Sequence, residues 1–202
     1  MIKTIIFDAG GVLFETDWDK ANKDFKEKTG KVLFIRSAGS KEAIEEFDKT
    51  IIGQGSMDKV LELLGIKKKD IKKAKKQYIE DYIRYKIINK ELLSFIEKLK
   101  ESYRVICLTD LSPYHFEANQ KIGLFNIFEK VFASNIVGMR KPDLNLFKKV
   151  LDELGVKPEE VIFIDDNQAN IGAANYLGIN AIYYTEFPDI TNLKKQINSL
   201  LR

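Results

Sequence analysis

Five short apolar runs, at 3–7, 104–109, 131–133, 161–164 and 180–184, recur along the chain, each continuous rather than alternating. A strand reads this way when both faces of its pleat are buried, so the runs predict a parallel sheet, and the helical patterns between the later runs predict an α/β fold with helices on both faces. The interval between the first and second runs breaks this rhythm. It carries helical periodicity near 17–29, 41–52, 57–65, 69–87 and 90–100. In Met57–Leu64, for example, Val60, Leu61, Leu63 and Leu64 gather on one side, Asp58, Lys59 and Glu62 on the other, and Ser56 is placed to cap the start. The last of these helices, with Leu92, Leu93, Ile96 and Leu99 at helical spacing, is expected on the sheet. The organisation predicted is therefore a core of residues 1–14 and 88–202, interrupted by an all-helical insertion at 15–87.

Composition narrows the function classes. The 33 basic and 30 acidic side chains leave a net charge of +3, too balanced for a general nucleic-acid binder but suited to a small anionic partner. The lysine-rich stretch 67–76 reads as a solvated helix face, because it lacks the interleaved aromatics of a nucleic-acid surface. Cys107, the single cysteine, lies within an apolar run and is expected as a buried thiol. No apolar run reaches the ~18 residues of a membrane span, and the amino terminus lacks a signal-peptide pattern, so a cytoplasmic location with no membrane partner is expected.

The candidate chemistry sits at the ends of the runs. Asp8 follows the first and opens onto Gly10 and Gly11; Thr109 ends the second and is followed by Asp110; Asp165 and Asp166 follow the fourth. Ligands of open parallel sheets bind beyond these carboxyl ends, so the three sites, joined by Lys141, form one constellation. Three carboxylates together repel one another unless a cation intervenes, and hard oxygen ligands suit Mg²⁺. Lys141 precedes Pro142, which is expected in the first turn of the following helix, so the ammonium is expected near a helix amino terminus. With Thr109 and the metal it would make a phosphoryl receptor, whose partner would be a small phosphorylated metabolite. His115, the only histidine, is expected at a surface or helix start, with substrate contact as the alternative. Phe14, Trp18 and Tyr114 are expected mainly in core packing, with a cleft wall as the alternative.

Taken in order, Phe7-Asp8-Ala9-Gly10-Gly11-Val12-Leu13, Leu108-Thr109, Gly138-Met139-Arg140-Lys141-Pro142-Asp143 and Phe163-Ile164-Asp165-Asp166-Asn167-Gln168-Ala169-Asn170-Ile171 resemble the motifs of the haloacid dehalogenase superfamily. The resemblance covers essentially the whole chain. It implies a Rossmann-like core with a helical cap of the C1 type, in the branch similar to sugar-phosphate phosphatases and the phosphatase domain of epoxide hydrolases. It further implies that Asp8 is the nucleophile, that Thr109 and Lys141 hold the phosphoryl group with Asp110 beside the substrate, and that Asp8, the Gly10 carbonyl and Asp166 bind Mg²⁺. Asp165 would stand behind the direct ligands or reach the metal through a water, and Asn170 would orient the acidic loop.

Two positions depart from the pattern. Gly10 stands where most phosphatases of the superfamily carry an acid/base aspartate, leaving the leaving-group proton to water, to a cap side chain such as Tyr82 or Tyr85, or to the substrate. Asp110 stands where many relatives have asparagine, and a carboxylate there would repel phosphate unless it turned away or met a cation. The alternatives are a non-catalytic protein that binds phosphorylated metabolites and a 2-haloacid dehalogenase; the Asp165-Asp166 pair, which looks like a preserved metal site, weighs against the latter.

Overall fold

The computed structural model describes residues 1–32 and 39–202. Five strands, β1 (Thr4–Phe7), β4 (Arg104–Thr109), β5 (Lys130–Ala133), β6 (Val161–Asp165) and β7 (Asn180–Tyr183), form one sheet in the order β5-β4-β1-β6-β7, every pair parallel. All five predicted runs are these strands, to within a residue at the ends. Their unbroken apolar character follows from burial on both sides. Ile5 and Phe7 of β1, Val105 and Cys107 of β4 and Ile162 and Ile164 of β6 point into one core. Ile6, Ile106, Leu108, Val161 and Phe163 point into the other, under the helices Leu144–Leu154 and Gln168–Tyr176. Fully burying such a side chain stabilises the fold by about 1.5–3 kcal/mol, so the register that satisfies both faces is strongly preferred. Chain order reverses at β1, with β4 and β6 on either side, and this switch point opens the crevice that holds the polar residues described below.

Between β1 and β4 the described helices are Trp18–Thr29, Lys41–Ile51, Met57–Leu63, Ile71–Arg84 and Lys90–Leu99. Asp17, Ser40, Ser56 and Asn89 each cap one of them, their side chains accepting from backbone amides in the first turn. The lysine-rich stretch begins as a 3-10 turn, Lys68–Asp70, and continues as a helix that buries Ile71 and Ala74 and leaves most of its lysines in water. Leu63, expected on the apolar side of its helix, is 39% exposed, because the helix ends there and only Met57, Val60 and Leu61 face inward. Cys107 is fully buried, and burial pushes its thiol up, away from reactivity.

One element has no counterpart in the hydrophobic pattern, a two-stranded antiparallel ribbon in which Phe14–Thr16 (β2) pairs with Lys86–Ile88 (β3). Strands of three residues are too short for periodicity to register. The ribbon joins the two chain segments that enter and leave the helices Trp18–Thr29 to Ile71–Arg84, and it is extended by bonds from Asp17 N–H to the Tyr85 carbonyl (2.9 Å) and from Asn89 N–H to the Leu13 carbonyl (2.9 Å). Lys86 sits under it, its Nζ 3.2 Å from the Phe14 ring centre and 3.7 Å from that of Tyr82. That buried Nζ has no hydrogen-bond acceptor among the described residues, and burial lowers its pKa from 10.5 to about 6.

This lysine carries a stability prediction. The native state holds fewer protons than the unfolded state between about pH 6 and 10.5, so its contribution to stability rises with pH across that window and is unfavourable at neutrality. Lys86→Met, apolar and similar in length, is expected to raise stability at pH 7 by on the order of a few kcal/mol, because the wild-type lysine must give up its proton to be buried and the variant has none to lose. Urea denaturation at pH 7 and 9.5 checks this: the gain of the variant over wild type should shrink at the higher pH.

Candidate active site

Asp8 lies one residue beyond β1, anchored by its own N–H to the Ile164 carbonyl (2.9 Å). Its Oδ1 accepts from the Ala9 amide (2.7 Å) and lies 2.9 Å from Lys141 Nζ. Oδ2 is thereby left for chemistry. Burial, offset by Lys141 and reinforced by Asp165, raises its pKa to about 7. Lys141 is itself buried and uses all three of its donors, on Asp8, on Asp165 Oδ2 (2.7 Å) and on the Leu108 carbonyl (3.0 Å). Burial alone would favour the neutral amine, but the carboxylates of Asp8, Asp165 and Asp110 hold Lys141 protonated, above the usual lysine range.

The expectation that Pro142 opens a helix, with Lys141 near its amino terminus, is corrected. The helix starts at Leu144, with Asp143 as its cap, Oδ1 accepting from Asn145 N–H at 2.9 Å. Asp143 caps better than the residues before it because it alone supplies an oxygen to the orphan amides. Lys141 instead reaches into the crevice, where carboxylates rather than a helix dipole fix its ammonium.

Asp165, at the end of β6, has no exposed surface and spends both oxygens inside the protein: Oδ1 on Asn167 N–H (2.8 Å), Oδ2 on Lys141, and both on Asn170 Nδ2 (3.0 Å each). It acts as a fixed post for Lys141 and Asn170. Asp166 beside it is more open, its pKa raised by burial and by the charge of Asp165. Oxygens of Asp8, Asp165 and Asp166 all lie within 4.8 Å of one another. One lysine among three carboxylates leaves negative charge uncompensated, which fits a hard divalent cation. Backbone shape agrees. Gly11, at φ +73°, has Asp166 Oδ2 only 2.0 Å from where a Cβ would stand, so the turn after Asp8 admits the Asp166 carboxylate because that residue has no side chain.

Asp8, Gly10, Thr109, Asp110, Lys141, Asp166 and Asn170 all line one cavity of about 560 Å³. Asp165 is behind it. Thr109 is buried at the end of β4, and the next loop is pinned by Leu111 N–H to Ser134 Oγ (3.1 Å). Asp110 keeps its place on the cavity wall while its Oδ1 accepts from the Lys141 amide (3.3 Å). The concern that its carboxylate would face a phosphate is thus met by a backbone donor and the neighbouring ammonium.

The opposite wall of the cavity is aromatic: Phe14, Trp18, Tyr82 and His115. Phe14 and Trp18 therefore take the alternative of a cleft wall, while Tyr114 is directed away and donates its hydroxyl to Asp58. Tyr85 is likewise directed away, its hydroxyl donating to Asp24 Oδ2 (2.7 Å). His115 is at a helix start, as expected, in the first turn after the Ser112 cap, but it is buried rather than superficial. Its ring stacks on Tyr82 at 4.4 Å, its Nε2 is 3.0 Å from the Tyr78 hydroxyl, and burial together with the charge of Lys86 lowers its pKa to about 3. The spacing of Tyr78 and Tyr82, one turn apart on one helix, was the available signal for this wall. Nothing in the sequence told which partner that face would meet.

The known proteins most informative here agree with the geometry. A family profile described as haloacid dehalogenase-like hydrolase matches residues 2–178. The chain belongs to this family. It is 26% identical over 198 residues to a D-ribitol-5-phosphate phosphatase of Bacteroides thetaiotaomicron, the match covering 88% of this chain and 89% of that protein. It is 28% identical over 198 residues to a drimenol cyclase of Aspergillus calidoustus, covering 91% of this chain but 34% of the fungal protein, so the chain spans about a third of that relative. Among solved structures, a haloacid dehalogenase family enzyme of Bacteroides thetaiotaomicron in complex with magnesium and inorganic phosphate superposes with a TM-score of 0.78 at 25% identity, covering 96% of this chain and 99% of that one.

In this family member Gly11→Ala is expected to displace Asp166 and weaken cation binding at least tenfold. Calorimetric titration of Mg²⁺ into wild type and variant, with circular dichroism to confirm folding, measures it; equal affinities would mean that Asp166 takes no part in the cation site.

Proposed function

We infer that this hydrolase is a Mg²⁺-dependent phosphatase of small phosphorylated metabolites, of the sugar-phosphate type, acting through an aspartyl-phosphate on Asp8. The observation that carries this is the Asp8–Lys141–Asp165 cluster with Asp166 beside it, at the switch point of the sheet. Residues 1–14 and 88–202 would be the catalytic core and 15–87 the cap, the β2–β3 ribbon being its stalk.

The free Oδ2 of Asp8 attacks phosphorus in line, while the charge of the Lys141 ammonium and the Thr109 hydroxyl hold the phosphoryl group, the ammonium by neutralising its oxygens. Because Lys141 is already oriented by three acceptors, little reorganisation is needed as charge develops. Asp165 and Asn170 act as positioning residues, keeping the ammonium and the acidic loop in place. Magnesium, held by Asp8, Asp166 and the Gly10 carbonyl, would offset the charge of the phosphoryl group against the carboxylates. The aromatic wall of Phe14, Trp18, Tyr82 and His115 would exclude water from the leaving-group side. The acidic pair and the phosphatase relatives favour this chemistry over carbon–halogen hydrolysis, and a positioned nucleophile favours turnover over mere binding.

Phosphate release from p-nitrophenyl phosphate and a sugar-phosphate panel tests the proposal. Turnover is expected with Mg²⁺, is expected to vanish with chelator, and is expected to fall by more than 10³-fold in Asp8→Asn. Undiminished turnover in folded Asp8→Asn, or chloride release from 2-haloacids in the absence of metal, would overturn it.

A further inference from the structure

The reaction proposed above leaves one task unassigned. When the ester bond breaks, the leaving alkoxide needs a proton, and Gly10 offers no side chain to give it. The cavity itself restricts the donors. Glu15 lines it too, but from an exposed position on the ribbon strand β2, where its charge bears on the cation ligand Asp166. Tyr82 reaches it, but burial pushes its phenol far up, which makes it a poor acid. His115 reaches it too, but with a pKa of about 3 its ring carries no proton to spare near neutrality. All three donors of Lys141 are engaged, and Asp8 and Asp166 serve as nucleophile and cation ligand. Tyr85 lies elsewhere, bonded to Asp24.

Asp110 differs from all of these. It follows Thr109 directly at the end of β4, so the residue that holds the phosphoryl oxygens delivers it to the same place. Only one of its oxygens is engaged: Oδ1 takes the Lys141 amide, and among the described residues Oδ2 takes no hydrogen bond. A carboxyl fixed through one oxygen and free at the other is suited to carry a proton on the free one. We propose that Asp110 is the general acid and base of this enzyme, doing from the end of β4 what an aspartate at position 10 would otherwise do. The inference rests on the phosphatase reading.

The proton inventory closes over both half-reactions. As Asp8 Oδ2 bonds to phosphorus and the P–O bond to the alcohol breaks, the Asp110 Oδ2 proton passes to the alcohol oxygen. The resulting carboxylate then takes a proton from the water that attacks the aspartyl-phosphate, which releases phosphate and restores both aspartates. The surroundings bear on the protonated form in both directions. Desolvation, the largest effect, raises the pKa of half-buried Asp110 and Asp165 adds to it, while Lys141 and, more weakly, Arg140 pull it down. Asp8 is paired with the Lys141 ammonium, and the rest of the cavity adds Asp166, Glu15, neutral His115 and Tyr82 as titratable groups.

Asp110→Asn keeps an oxygen for the Lys141 amide and removes only the proton, so a purely structural role would be largely spared. A general acid matters most for poor leaving groups. The variant is therefore expected to lose about 10²–10⁴ in kcat on alkyl phosphates such as glycerol phosphate, and at least tenfold less on p-nitrophenyl phosphate. The fall of wild-type kcat on alkyl phosphates as pH rises should disappear with it. Gly10 offers a rescue: it lacks a positive φ, and a Cβ there would meet nothing within 4 Å. Adding Gly10→Asp to Asp110→Asn is expected to restore alkyl-phosphate turnover. Equal losses on both ester types would overturn the proposal while leaving the phosphatase reading intact; no turnover of either ester by wild type would overturn both. If Asp110→Asn does not fold, the dependence of wild-type kcat on leaving-group pKa decides, a shallow slope supporting the acid and a steep one refuting it.

Discussion

Everything polar at the end of this sheet is arranged around one buried ammonium. Lys141 binds two carboxylates and a backbone carbonyl, and the remaining site residues take their positions from those contacts. A buried, paired lysine is costly to desolvate, and removing one partner of such a pair commonly costs about 3–5 kcal/mol. Its retention makes sense where the charge is needed against a phosphoryl group. Asp165 shows what it takes to hold such a charge still: no surface, and both oxygens committed to Lys141, Asn167 and Asn170. Asp166, one residue on, is left open enough to meet a cation. Two adjacent aspartates thus take opposite roles because one lies at the end of a strand and the other in the turn beyond it.

The ribbon of Phe14–Thr16 and Lys86–Ile88 ties this polar end to the helices that cover it. One of its faces supplies Phe14 to the cavity and sets Lys86 between aromatic rings. Burial, helped in acid by the charge of Lys86, keeps His115 neutral. The aromatic wall is therefore apolar in electrostatic as well as chemical terms, although it contains a histidine. Opposite it stand the carboxylates and Lys141. The cavity thus has a highly charged floor facing an aromatic wall, with Glu15 at its exposed edge.

The motifs and their order were legible in the sequence, and so was the sheet that carries them, because buried parallel strands leave continuous apolar runs that local inspection can find. Asp8, Thr109, Asp165 and Asp166 were recognisable by their place at the ends of those runs. The sequence could also say that Gly10 lacks a side chain, and that a buried cysteine and a lysine-rich helix face need no special chemistry. These are properties of a residue and its near neighbours, and for them periodicity and spacing suffice.

What only the tertiary structure decided depends on residues far apart in the chain. It made Asp143 rather than Pro142 the start of a helix and so sent Lys141 to the carboxylates. It turned Tyr85 and Tyr114 away from the cavity and brought His115 into it, since those outcomes depend on partners such as Asp24, Asp58 and Tyr78, drawn from 37 to 61 positions away. It tied Asp110 to the Lys141 amide, 31 residues along, leaving one oxygen free. Local pattern fixes which atoms are available, but burial and the approach of distant segments fix which of them are satisfied and which remain to react.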